Sequence, residues 1–183
     1  MTFDVVTNAT ATSYRELRER KVELAMGRIN DLVDEEDVVA ESLFDYAMVV
    51  VAASRNPWTR RRRIALAELV NEPWTLPPPD SYIGVLAAQA FRAQGLKLPR
   101  SAVTTASLDM RKRFVATGRF LTILPSYTVT LYGSPSLKPL PVALSETHGA
   151  IGIVTLKNRT LSPLGELFVK TARAVTKPLV KAR

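Results

Sequence analysis

Apolar and polar positions alternate at the start of the chain. Phe3-Asp-Val-Val-Thr7 reads as a half-buried strand. A polar stretch, Asn8 to Thr12, separates it from a helix that Ser13 opens, because Ser13 with Glu16 three residues on forms a capping box. Leu17 lies on the apolar side of that helix. Val22 to Met26 is a short apolar run ending at Gly27, so the opening predicts strand, helix, strand. That order normally means parallel pairing through a right-handed crossover.

After the acidic connection Asp34 to Asp37, Ala47 to Ala53 is apolar at every position, as a strand covered on both faces should be. Asn56-Pro57 breaks the pattern, and Ile64 to Val70 predicts a short helix before Pro73. Trp74 to Leu76 is a strand. The prolines Pro77-Pro78-Pro79 stop regular structure, and Asp80-Ser81 caps a helix to about Gln94 with Gly95 as its left-handed stop. The same order repeats: Ala102 to Thr105 as a strand, Ser107 as a cap, and a helix from Leu108 to Gly118. Phe120 to Leu124, Leu137 to Val142 and Ala150 to Leu156 complete the strands. Ser162-Pro163 starts a last helix running to about Thr176. The fold class is α/β.

Composition narrows the chemistry more than the architecture. The chain has 183 residues, 46% of them apolar, enough for one domain or two small lobes. It has no cysteine and one histidine, His148, which removes disulfides, thiol nucleophiles and the usual metal and Ser-His-Asp sets. No catalytic residue, metal site or cofactor is expected. No run of eighteen apolar residues occurs and charged residues interrupt the first thirty, so a cytoplasmic protein without a membrane partner is expected. The net charge is +8, and the basic residues are spread along the chain except for the runs Arg60-Arg61-Arg62-Arg63 and Arg111-Lys112-Arg113. Neither run has interleaved aromatics, and both read as solvated faces rather than a nucleic-acid patch. Trp58 and Trp74 read as core or hinge packing.

Several stretches, in order, resemble the effector-binding domain of LysR-type transcriptional regulators. They are Leu17 to Gly27, Ser54-Arg-Asn-Pro57, Glu68-Leu69 to Leu76, Phe91 to Leu96, Val103 to Ser107, Phe114 to Gly118, Leu121 to Pro125, and Ile153 to Pro163. The resemblance implies a two-lobed fold like type 2 periplasmic binding proteins, with two crossover strands and a ligand cleft at the lobe interface. It places lobe one at residues 1–53 and 150–183 and lobe two at 54–149. It also implies that the domain's first strand and long helix, with the winged helix-turn-helix and linker helix before them, have no match in these residues. Arg20 and Glu23 stand where the family commonly has Gly and Asp.

In open α/β sheets ligands bind beyond the carboxyl ends of strands, where helix amino-termini offer free N–H groups to anions. Thr10, Thr12 and Ser13, Pro78 to Ser81, and Thr105 to Ser107 occupy such ends. The resemblance implies that the Thr10 hydroxyl faces the ligand and that Pro125 and Tyr127 line lobe two of the cleft. The ligand-binding set is therefore Thr10, Ser81, Thr105, Ser107, Pro125 and Tyr127, and helix capping alone also explains Ser81 and Ser107. The expected partners are a small effector, a carboxylate by resemblance, a second copy of the chain in a dimer or higher oligomer, and DNA only through a head outside these residues. Three other functions compete: a solute-binding protein, disfavoured because no export signal is evident; an enzyme using the acids Asp34 to Asp37, which read better as a solvated loop; and a dimerisation module that does not sense.

Overall fold

A computed structural model describes residues 2–29, 36–130, 135–144 and 147–180. Along the chain lie α1 (Thr10–Arg18), β1 (Ala25–Arg28), β2 (Val38–Ala53), β3 (Trp74–Leu76), α2 (Tyr82–Ala93), β4 (Ser101–Thr104), α3 (Leu108–Ala116), β5 (Thr122–Pro125), α4 (Tyr127–Thr130), β6 (Leu137–Pro139), β7 (His148–Leu156) and α5 (Pro163–Val180). Two 3-10 turns, Pro57–Arg60 and Leu66–Leu69, lie between β2 and β3. The chain folds as two compact units, residues 1–46 with 149–183 and residues 47–148.

In the first unit β1 pairs with β7, and the pairing is antiparallel, with Gly27 opposite Gly152. This corrects the parallel crossover expected from local order. A second correction concerns Phe3 to Thr7, which form no strand and leave Val5 84% exposed. Alternation requires a partner ladder to become a strand, and no backbone hydrogen bond joins residues 3–8 to another described residue. Third, α1 begins at Thr10 rather than after Ser13. The Ser13 amide already bonds the Ala9 carbonyl at 3.0 Å, so it needs no cap, and the Glu16 carboxylate accepts from the Asn8 side chain at 2.8 Å. Tyr14 and Leu17 carry the buried face of α1, against Ala25, Val38 and Val154.

Helix α1 ends in a Schellman turn. The Lys21 amide bonds the Glu16 carbonyl at 2.9 Å and the Arg20 amide bonds Leu17 at 3.0 Å. Arg20 therefore has φ of 59°, the left-handed region that suits glycine, and it is the one non-glycine residue with positive φ among the described residues. Arg20→Gly is expected to stabilise the protein by about 0.5–1 kcal/mol, the strain relieved less the entropy glycine adds to the unfolded chain. A urea midpoint that moves down would contradict this reading.

Three carboxylates hold this unit's periphery. Asp37 accepts from Arg18 at 2.7 Å and Glu41 accepts two bonds from Arg173 at 2.6 Å. Glu23 accepts from both the backbone and the hydroxyl of Ser162, just ahead of α5. Hydrogen bonding from Arg18, from Arg173 and from the Ser162 amide lowers the pKa of Asp37, Glu41 and Glu23 respectively. Folded-state values below the unfolded ones mean that this stabilisation is complete above the unfolded pKa of about 4. It is lost as pH falls through the folded values. Thermal melts from pH 7 to pH 3 should show an acid limb that Glu41→Gln flattens, and the ion-pair part should shrink in high salt. Of the acidic connection, Asp34 and Glu35 lie outside the described residues, while Glu36 and Asp37 are exposed.

In the second unit β2 pairs antiparallel with β5, Val51 opposite Thr122, and also with β6. β3 and β4 run parallel, with Leu76 opposite Thr104, and a parallel bridge joins Trp74 to Leu121 just before β5. Trp74 is fully buried, edge-on to Phe91 of α2 at 5.6 Å, and its indole donates to the Leu69 carbonyl at 2.8 Å. Both expected glycine stops hold: Gly95 has φ of 71° and Gly118 of 89°. Ser54 to Pro57 closes the end of α3, where the Arg55 guanidinium donates to the Thr117 carbonyl at 2.6 Å and places a cation at the helix carboxyl terminus. Arg60 to Arg63 are all exposed, as expected; Arg111 is not, being 4% exposed. It shares the inner face of α3 with Val115, which corrects its reading as a solvated charge.

Candidate functional site

Because β3 and β4 are parallel and β5 runs parallel to β3, the carboxyl ends of all three lie at one end of the second unit. That end holds the loop Pro77 to Ser81 before α2, Thr105 to Ser107 before α3, and Pro125 followed by Tyr127 at the start of α4. Five of the six expected ligand residues thus share one end of one unit. Thr10 belongs to the other unit, in the first turn of α1, where its hydroxyl accepts from the Arg28 guanidinium at 3.4 Å.

Local hydrogen bonding separates capping from binding. The Ser81 hydroxyl donates to the Pro78 carbonyl at 2.6 Å and accepts from the Gly84 amide at 3.1 Å, so its one proton is spent within the turn. Ser81 is a cap. Thr105 accepts from the Ser107 amide at 3.2 Å, and Ser107 accepts from the Met110 amide at 3.3 Å. Both hydroxyls accept in these bonds and keep their protons. Thr105 is half-buried, and it extends the ladder by bonding the Leu76 carbonyl through its amide at 3.1 Å. Pro125 is buried and its carbonyl accepts from Thr128 at 2.7 Å, which fixes the turn into α4. Tyr127 is half-buried.

Two helix starts, at Ser81 and Ser107, therefore aim first-turn amides beyond the strand ends, beside two uncommitted hydroxyl protons. Donors grouped in this way are the chemistry that can receive an anion. Among the described residues no cluster of three His, Asp or Glu side chains is placed to hold a metal. His148 is exposed at the start of β7.

Residues 1–177 match the family model of the LysR substrate binding domain. The chain belongs to that family. Its regulator relatives include the HTH-type transcriptional regulator GbpR of Azospirillum brasilense, 26% identical over 164 residues, which are 87% of this chain and 47% of that protein. The chain spans about half of that regulator's length or less. In fold it is similar to the CcmR regulatory domain of Synechocystis PCC6803 in complex with 2-PG, with a TM-score of 0.69 and 20% identity over 90% of this chain and 78% of that one. The effector binding domain of QuiR in complex with shikimate gives a TM-score of 0.68 at 20% identity, over 93% and 79% of the two chains. The LysR domain thus has the type 2 periplasmic-binding-protein-like fold expected from sequence, and the regulators among its relatives are transcription factors rather than enzymes.

The first unit of the LysR domain also holds an open cavity of about 700 Å³, lined by the extended segment Thr2 to Asn8, by Lys21 to Met26 and by the start of α5. None of the six expected ligand residues lines it. No helix among the described residues is long and apolar enough to cross a membrane.

Proposed function

We propose that this LysR domain senses a small carboxylate at the carboxyl ends of β3, β4 and β5. The Thr105 and Ser107 hydroxyls and the first-turn amides of α2 and α3 hold the anion. Pro125 and Tyr127 flank it. Occupancy favours one conformation of the domain, and that differential affinity shifts the population available to a DNA-binding head lying outside residues 1–183. The observation that carries the reading is the convergence of two capped helix starts and two uncommitted hydroxyl protons at one end of three parallel strands. Shikimate and 2-PG, bound by similar domains, are both small polar molecules, which agrees with it.

Thermal shift with shikimate, benzoate and citrate tests the proposal. At least one should raise the melting temperature saturably, and Thr105→Val should weaken that response about tenfold in concentration, the equivalent of one charge-assisted hydrogen bond. Ser81→Ala should lower stability by about 1 kcal/mol as a lost cap. Thr10→Val tests the first unit's contribution separately. No response to any of the three, or a response indifferent to Thr105→Val, would count against the site.

A second copy of the chain is the proposed macromolecular partner. Strand β1 ends the ladder that runs through β7 and β2, and Met26 within it is 52% exposed. Light scattering at high concentration that finds a strict monomer would remove this partner. It would also remove the alternative that the domain only dimerises.

A further inference from the structure

We propose that the second unit contains an internal site for a small monoanion of the size of chloride or formate, formed by Arg111 with the hydroxyls of Thr75 and Thr122. It lies beneath α3 and is distinct from the strand-end site.

Arg111 is a buried cation with an incomplete set of partners. One guanidinium nitrogen, Nη1, donates to the Ile123 carbonyl at 3.1 Å, while Nε is buried and has no partner among the described residues. Among the described residues no carboxylate pairs with it, and burial alone, with no opposing charge, lowers its pKa. A guanidinium buried without a counter-charge is among the costliest arrangements a core can hold.

The bond to Ile123 has a structural explanation that leaves the charge unexplained. The Thr75 amide bonds the Leu121 carbonyl at 2.8 Å, so the same parallel register two residues later brings residue 77 level with Ile123. Residue 77 is proline and has no N–H to give. Arg111 supplies the missing donor through Nη1, a task any neutral amide would perform. Its positive charge and its Nε–H remain over.

Two further orphan hydroxyls face the same place. Thr75 and Thr122 are both fully buried, and neither Oγ1 has a partner among the described residues. Trp74 turns to Phe91 of α2, so Thr75, one residue on, points to the opposite face of the strand. The bridge of Trp74 to Leu121 sets Thr75 beside Thr122. Thr122 shares its face with Leu124, and Leu124 packs with Val115 of α3, one helical turn from Arg111. Three donor groups and a full positive charge thus lie under one helix, and the two hydroxyl oxygens, which can also accept, carry no negative charge to balance it. Chloride, nitrate or formate satisfies all of them at once and balances the charge. A water satisfies the bonds but not the charge. The full burial of both threonines excludes a bulky effector.

The test is thermal unfolding of the whole chain as chloride replaces gluconate at constant ionic strength, gluconate being too large to enter. The melting temperature should rise saturably, on the order of 5 °C at saturation. Arg111→Met should abolish the rise, and so should Thr122→Val if the methionine variant does not fold. Thr105→Val should leave it intact, so that failure of the strand-end site is told apart from failure of this one. A crystal grown in bromide should show an anomalous peak beside Nε of Arg111. Equal melting in chloride and gluconate, a chloride response that survives in both variants, or a water in place of bromide would overturn the proposal.

Discussion

Trp74→Ala is expected to cost about 3–5 kcal/mol from the cavity alone, with about 1 kcal/mol more from the lost indole hydrogen bond. The side chain is fully buried, edge-on to Phe91, and tied to Leu69 at 2.8 Å. Against a total stability of 5–15 kcal/mol typical of folded domains, that loss removes much of what holds the second unit together. Far-UV circular dichroism in urea is the suitable probe, because the substitution removes one of two tryptophans. Trp74→Phe separates the contributions. It keeps an aromatic ring against Phe91 and loses the N–H, so its cost should be a small fraction of the alanine variant's. Equal costs would mean that the hydrogen bond, not packing, carries the position.

The second large effect is expected at Gly84, where the sign is opposite to helix propensity. Alanine is favoured over glycine within helices by about 1 kcal/mol. At Gly84 an added Cβ would lie 2.0 Å from the Pro78 carbonyl oxygen and 3.0 Å from the Pro79 Cα, and neither backbone atom can rotate away. Helix α2, which starts at the Ser81 cap and packs its own Ala87, Ala90 and Phe91 into the core, must therefore retreat from the proline loop. We expect Gly84→Ala to destabilise by about 3 kcal/mol, the upper range of overpacking, and to misplace the α2 start at the strand-end site. Gly95→Ala is the control. Nothing lies within 4 Å of its added Cβ, so only its φ of 71° opposes the change and the cost should be about 1 kcal/mol. Melts of the two variants side by side decide whether close approach or backbone conformation governs these glycines.

The parts of the fold legible in sequence are those that local chemistry decides. Ser81 and Ser107 cap their helices as the spacing required, Gly95 and Gly118 take the left-handed stops, and Trp74 goes to the core. What failed was non-local. Phe3 to Thr7 have the right alternation for a strand but no described partner, and nothing between residues 20 and 30 announces that β1 pairs with residues 151–154, far along the chain. The first capping box failed because the helix began one turn earlier than its strongest local signal.

The candidate site divides along the same line. Its position at strand ends follows from element order, and five of its six residues fall together. Which hydroxyls keep a proton for a ligand depends on hydrogen bonds across turns, which composition cannot show; hence Thr105 and Ser107 gain weight and Ser81 becomes a cap. Arg111 was missed outright. Its one signal was the spacing of Leu108, Arg111 and Val115 along a single helix face, and three consecutive basic residues obscured it.

Titration calorimetry of shikimate or benzoate into the chain, against Thr105→Val under the same conditions, tests sensing at the strand ends most directly. Saturable binding of one anion per chain, recovery of the ligand unchanged, and an affinity about tenfold weaker in the variant are expected. Binding of equal strength in the two proteins, or chemical conversion of the ligand, would contradict sensing at that place.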